Sequence, residues 1–259
     1  MPPASRSEPL AVRAVLFDLF DTLVRFDRER LPAVEIGGRL VRTTAGHLHP
    51  LLREWAPAVT LEAFYEALLA SWAEAERRRR LDHREVAAAE RFAHLFRCIH
   101  LDPEACPPDL WRALLDTHRR ELSKAAEFPP HHATLLADLA RRYRLAVVSN
   151  FDYSPTALGI LEDAGVAHLF DAVVVSDAVG WRKPAPAIFA EALRRLGVAP
   201  ADALFVGDRA DIDVAGAHAA GLRTAWLNPQ RAERPAGVPA PDVEIRDLDE
   251  LRPILGVAP

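Results

Sequence analysis

Lysine is almost missing from this chain. Of its 32 basic residues only Lys124 and Lys183 are lysines, and arginine supplies the rest. With abundant alanine and proline, this reads as a codon bias, and it makes any retained lysine worth locating. Cysteine is as scarce. Cys98 and Cys106 lie in a short segment without a metal-ligand pattern, which argues against a disulfide-built scaffold and fits free thiols in a reducing cytoplasm. No apolar run approaches the length of a membrane span, and the N-terminal MPPASRSEP has no apolar signal core. A soluble, cytoplasmic protein without a membrane partner is the expectation. Excess positive charge is also absent: the formal net charge is −5, which gives no reason to expect nucleic acid as a partner. The one basic run, Arg77 to Arg80, lies among Glu74, Glu76, Asp82 and Glu85 and reads as a solvated helix face. No repeat or low-complexity tract occurs.

What the chain has is apolar material, 50% of its 259 residues, enough for a sizeable core. Residues 1–11 read as a loose leader. The stretch Ala14 to Val24, AVLFDLFDTLV, begins with an apolar run suited to a strand buried on both faces, expected near Val12 to Leu19. From Asp27 to Glu127 no buried strand is apparent. Helical patterns cover His47 to Trp55, Leu61 to Arg80, Glu85 to His100 and Pro108 to Ala125. In the second, Leu61, Phe64, Leu68 and Trp72 recur at helical spacing as a buried face, with Thr60 at its start. Glu35 to Thr44, EIGGRLVRTT, reads as a polar loop. Arg39 or Arg42 could reach an anionic substrate from it, although a surface role is the simpler reading.

After Pro129 strands and helices alternate. Strands are expected at Leu145 to Val148, Ala172 to Val175, Ala203 to Val206, Thr224 to Leu227 and Val243 to Ile245. Such alternation implies an α/β fold with a doubly wound parallel sheet. The expected division is a catalytic core over 1–26 and 126–259, interrupted by a helical cap over 27–125. The insertion leaves at the carboxyl edge of the first strand, so it should lie over that edge as a lid.

All strands of one sense end along that edge, where open α/β sheets bind ligands. The polar residues there are Asp18 and Thr22, Ser149 and Asn150, Lys183, and Asp208 with Asp213. Acids, one cation and small donors together suit displacement at phosphorus, in which a carboxylate attacks and forms an aspartyl-phosphate. Asp18 and Asp208 could hold Mg²⁺, an oxygen-seeking ion, while Lys183 and Ser149 bind phosphoryl oxygens. Plainer readings stand beside these. Thr22 and Ser149 could bond local backbone, Asp213 could be a first-turn helix acid, and Lys183 could be surface. Asp152 is a further acid near the edge without a role.

The segments DLFDTL, VVSN, WRKPAPAIF and VGDRADIDVAGA, in this order and spacing, resemble the four motifs of the haloacid dehalogenase superfamily. The helical insertion resembles its C1-type α-helical cap. The resemblance implies a Rossmann-like core and a small phosphorylated substrate. It also implies Asp18 as nucleophile and Mg²⁺ on Asp18, Asp208 and the carbonyl of Phe20. Asp213 is implied as a ligand or a supporting partner, with Ser149 and Lys183 on the phosphate.

The chain departs from this pattern at Phe20, where most phosphatases of the superfamily have an acid/base Asp, and at Asp21, where most have Gly. An aromatic residue at Phe20 resembles the 2-haloacid dehalogenases, whose halide leaves without a proton. Those enzymes lack an acid equivalent to Asp208, however, and have Tyr where this chain has Phe189. Three ways round the missing acid are open: a good leaving group, a proton from His47 or His49 in the cap, or a non-catalytic role as a phosphate binder. No oligomeric state is readable.

Overall fold

The structure, a computed structural model, describes residues 9–257. Strand β1 (Ala14–Phe17) lies at its centre and is fully buried. Its side chains alternate between two faces: Val15 and Phe17 enter one apolar cluster, Ala14 and Leu16 another. A strand covered on both sides has no face for a polar residue, hence the unbroken apolar run.

The chain then passes through β2 (Arg25–Phe26), β3 (Ala33–Ile36) and β4 (Arg39–Arg42) into α1 (Ala45–Trp55), α2 (Leu61–Asp82), α3 (Ala88–Cys98) and α4 (Pro108–Ala125). It returns through β5 (Ala126–Glu127), which pairs antiparallel with β2, so the outgoing and returning chains run side by side. The remainder alternates: α5 (Pro130–Ala140), β6 (Arg144–Ser149), α6 (Ser154–Asp163), β7 (Ala172–Val175), α7 (Ser176–Val179), α8 (Pro186–Leu196), β8 (Ala203–Gly207), α9 (Ala215–Ala219), β9 (Arg223–Leu227), β10 (Val243–Ile245) and α10 (Leu251–Ile254).

Six strands form one parallel sheet in the order β10-β9-β8-β1-β6-β7. Helices α5, α6 and α10 cover one face, through residues such as Leu136, Leu161 and Leu251; α8 and α9 cover the other, through Phe189 and Ala217. This is a Rossmann-like core. The inserted helices form a cap with an apolar cluster of their own, including Leu48, Leu52, Phe64, Phe92, Phe96 and Leu114. Among the described residues no helix is long and apolar enough to cross a membrane. Cys98 and Cys106 are free thiols.

Several expectations need correction. The first strand is shorter than residues 12–19. The segment read as a polar loop is the hairpin β3–β4, with Ile36 opposite Arg39 and Gly37 and Gly38 at φ +57° and +74°. A two-residue turn with both φ positive is the geometry that the Gly-Gly pair supplies. On α2, Thr60 caps the helix by accepting from the Ala63 N–H, and Phe64 and Leu68 are buried. Trp72 is 51% exposed, however, and the buried stripe continues through Ser71, Ala75 and Arg79. The first eight residues of the supposed leader lie outside the described residues. Leu10 is not loose: it packs on the core and donates its N–H to Ile254 O.

Leu16 is fully enclosed, so Leu16→Ala should remove about 2–5 kcal/mol of stability. Urea unfolding measures this; a midpoint unchanged from wild type would contradict the packing described.

Candidate active site

The parallel order brings the polar strand ends together. β1 leads into Asp18, and Thr22 follows in the next turn. β6 ends on Ser149, and β8 ends on Gly207 before Asp208. The π-helical turn Ala210–Val214 carries Asp213, and the loop before α8 carries Lys183. The Lys183 Nζ lies 2.7 Å from Asp18 Oδ1 and 2.8 Å from Asp213 Oδ1. Asp18 Oδ1 also accepts from the Leu19 N–H at 2.8 Å, and Asp213 Oδ2 from the Arg209 N–H at 3.0 Å. Carboxylate oxygens of Asp18, Asp208 and Asp213 lie within 4.8 Å of one another. Gly207 permits this approach, because a Cβ there would stand 2.3 Å from Asp213 Oδ2.

Three carboxylates around one ammonium leave two negative charges in excess. Burial is the main influence on Asp18 and raises its pKa to about 7. Lys183 opposes the rise, and Asp213 and Asp208 add to it. Asp208 is raised to about 6 by burial, then by Asp213 and Asp21. Burial works against the charge on Lys183, but Asp18 and Asp213 outweigh it and raise its pKa. An oxygen-only donor set with two surplus charges fits a divalent cation such as Mg²⁺. Both Asp213 oxygens are already engaged, so Asp18 and Asp208 are the acids better placed to face a cation, with Asp213 behind them holding Lys183. Beside the acids, Thr22 Oγ1 and Ser149 Oγ are buried without a hydrogen-bond partner among the described residues. Oxygens of an anionic ligand would satisfy such hydroxyls.

Other expected residues stand elsewhere. Asn150 lines the cleft described below, with its side-chain amide bound to Lys183: Nδ2 donates to the Lys183 carbonyl at 2.9 Å, and Oδ1 accepts its N–H at 2.7 Å. It positions the lysine. His49 is buried with Nε2 on the Val59 carbonyl at 2.8 Å, and His47 pairs with Glu121 at 3.3 Å. Asp21 has φ +59°, the backbone state that favours glycine, and its carboxylate accepts from the Phe26 N–H at 3.2 Å. The Phe20 ring packs against Phe26 and Phe151, with centroids 5.7 and 4.9 Å away. Arg39 is exposed on the hairpin, whereas Arg42 reaches the cleft described next.

A cleft of about 710 Å³ lies between cap and core, lined from below by Asn150, Phe151, Asp152 and Arg182 and from above by α2, α3, α4 and the hairpin. Of the strand-end residues, Asn150 lines this cleft; a second groove, of about 810 Å³, is lined by cap residues alone, including Trp55, Val59 and Cys98.

Around the first cleft is a charge network that the sequence reading missed. Asp152 pairs with Arg91 at 2.8 Å and Arg79 at 3.6 Å. Glu85 pairs with Arg79 and Arg182, each at 2.7 Å, and accepts from the Ser176 hydroxyl. Arg79, expected to be solvated, is 6% exposed. Its register on the α2 stripe, four residues after Ala75, was the available signal. Burial opposes ionisation of Asp152, but Arg91 and Arg79 outweigh it and hold its pKa low. The His118 pKa falls to about 3 through burial and the neighbouring Arg91. Arg91 donates to His118 Nε2 at 2.9 Å, so the ring proton sits on Nδ1 and goes to Thr44 Oγ1. The turn between α2 and α3 is also strapped to the core, with Glu85 N–H on the Gly180 carbonyl and Arg182 N–H on that of His83.

A parallel sheet with buried acids and a lysine at its carboxyl edge, under a helical cap, defines a class of capped α/β hydrolases. Residues 12–221 match the haloacid dehalogenase-like hydrolase family, and the chain belongs to it. It is 33% identical over 162 residues to the glyceraldehyde 3-phosphate phosphatase of Methanopyrus kandleri, covering 62% of this chain and 67% of that enzyme. To the phosphoserine phosphatase of Thermus thermophilus it is 37% identical over 145 residues, covering 56% and 57%. The chain thus spans between just over half and two thirds of these relatives. Among solved structures, the 2-haloacid dehalogenase of Pseudomonas syringae superposes with a TM-score of 0.66 at 26% identity, covering 95% of this chain and 98% of that one.

The raised acids keep protons that the unfolded chain has lost, so without a cation the cluster costs stability as pH rises from about 4 to 7. A bound cation reverses this. Mg²⁺ should therefore raise Tm, by more at about pH 8 than at about pH 5. No rise, or a rise equal at both pH values, would contradict the fit.

Proposed function

We propose that this protein is a Mg²⁺-dependent phosphatase of small phosphorylated metabolites, acting through an aspartyl-phosphate on Asp18. The observation that carries the reading is Lys183 bound between Asp18 and Asp213 beside the unsatisfied hydroxyls of Thr22 and Ser149. The phosphatase relatives support it as well. We also assign the core to residues 1–26 and 126–259 and the cap to 27–125, because the paired strands β2 and β5 form the crossing. Two free thiols suit work in the cytoplasm.

In this mechanism the Asp18 carboxylate attacks phosphorus, and the leaving oxygen departs with the bonding pair. Water then attacks the aspartyl-phosphate, restoring the carboxylate and releasing inorganic phosphate. Lys183, Ser149 and Thr22 donate to the non-bridging oxygens, and Asn150 holds the Lys183 backbone in register. The Leu19 N–H and Lys183 fix one Asp18 oxygen, so the carboxylate is oriented before substrate arrives. Mg²⁺ on Asp18, Asp208 and the Phe20 carbonyl would offset the charge of the substrate. Phe20 itself transfers no proton.

The Phe20 ring also favours a second reading, carbon–halogen hydrolysis by the same carboxylate; Asp208 in the acid cluster argues against it. Phosphomonoesters, acyl phosphates and 2-haloacids assayed with Mg²⁺ and with chelator separate the two. Metal-dependent phosphate release is expected. Metal-independent halide release would overturn the reading, and anion binding without turnover would leave a non-catalytic binder. Asp18→Asn should abolish turnover without loss of fold. Phe20→Asp should increase turnover of alkyl phosphates, with a gain of up to about 10²-fold for a general acid; no gain in a folded variant would count against the missing-acid account.

A further inference from the structure

The cleft between cap and core has few groups able to give a proton to a departing oxygen. Its buried acid Asp152 and its histidine are committed, and its other acids are paired with arginine. Glu29 pairs with Arg42, Glu76 with Arg79, and Asp152 with Arg91 and Arg79. The lone pair of His118 is taken by Arg91 and its proton by Thr44. The remaining titratable lining groups, Arg28, Arg42, Arg79, Arg91 and Arg182, are too basic to act as acids near neutral pH. On the core side, the Phe20 ring packs on Phe26 and Phe151 and carries no proton to give, and the Asp21 carboxylate accepts from the Phe26 N–H.

The cleft adjoins the acid cluster through Asn150, which holds Lys183, and Phe151, which packs on Phe20, and its walls carry apolar groups. Phe26, Phe151, Leu68, Leu69, Trp72 and Leu122 line the cleft. Leu69 and Trp72 are 52% and 51% exposed, two of only four large apolar side chains so open to water among the described residues. Large apolar groups left bare on the wall of a cleft are a surface for a flat apolar ligand.

Resting on the phosphatase reading, we propose that the substrate is an aryl phosphate, a phosphomonoester of a phenol-type hydroxyl whose ring lies against Trp72, Leu69 and Phe151. The Asp18 oxygen forms a bond to phosphorus as the bond from phosphorus to the aryl oxygen breaks. The electron pair stays on that oxygen, delocalises into the ring, and the phenolate leaves without a proton, which it takes from solvent after release. An alkyl alkoxide has no such delocalisation and would need the acid that Phe20 replaces.

The test is kcat/KM with Mg²⁺ for a series of substituted phenyl phosphates and a primary alkyl phosphate, because kcat/KM reports the step in which the leaving oxygen departs. It should fall steeply as the phenol becomes less acidic, with the alkyl ester about 10²–10⁴-fold below the activated aryl esters, the size of a general-acid contribution. A flat series, with alkyl and aryl esters alike, would overturn the proposal while leaving the phosphatase reading intact. No metal-dependent phosphate from any ester would overturn both. Trp72→Ala should raise KM for naphthyl phosphate more than for phenyl phosphate; equal KM changes would overturn the placement of the ring.

Discussion

An ammonium shared by two buried carboxylates is the interaction on which the site depends. Lys183 sits 2.7 Å from Asp18 and 2.8 Å from Asp213, out of contact with solvent. A buried charge without a partner is costly enough that the group would neutralise instead. One lysine cannot balance three acids, and burial, with the neighbouring carboxylates adding to it, raises the pKa values of Asp18 and Asp208. The core therefore carries an excess of buried negative charge at its carboxyl edge, which a bound cation would offset.

The fold supplies the rigidity that such a site needs. β1 lies between β6 and β8, so Asp18 leaves a strand that cannot shift without disturbing both neighbours. Asn150, one residue beyond β6, fixes the backbone of Lys183 with two hydrogen bonds. Gly207 at the end of β8 lets Asp213 approach, and Gly216 on α9 lies so close to the Lys183–Pro184 loop that a Cβ would stand 2.8 Å from Pro184 Cα. The cap is held separately, by Arg79, Arg91 and Arg182 against Asp152 and Glu85. Glu76, which also pairs with Arg79, brings the acids of this seam to three and leaves it close to neutral.

The core and its strand-end residues were legible in the sequence because they obey local rules. A doubly buried strand reads as a continuous apolar run, and each strand ends where a polar residue begins. The seam between cap and core was not legible. Arg79 stands among three other arginines and several acids, and only its register on the α2 stripe separates it from a solvated neighbour such as Arg77. Asp152 and His118 gain their roles from residues 61 and 27 positions away, respectively, through Arg91, a pairing that no local pattern encodes. The reverse error occurred at Trp72. Its spacing matched a core face, but the helix presents it to the cleft, where an apolar group is left open to ligand rather than packed.

The central claim is that the Asp18 carboxylate becomes the carrier of a phosphoryl group. The most direct test is the mass of the Asp18 peptide from enzyme quenched in acid during turnover of an aryl phosphate with Mg²⁺. The account predicts one added phosphoryl group on that peptide, located on Asp18 by fragmentation. Rapid turnover with the peptide unmodified at every quench time, or a phosphoryl group on another residue, would contradict it.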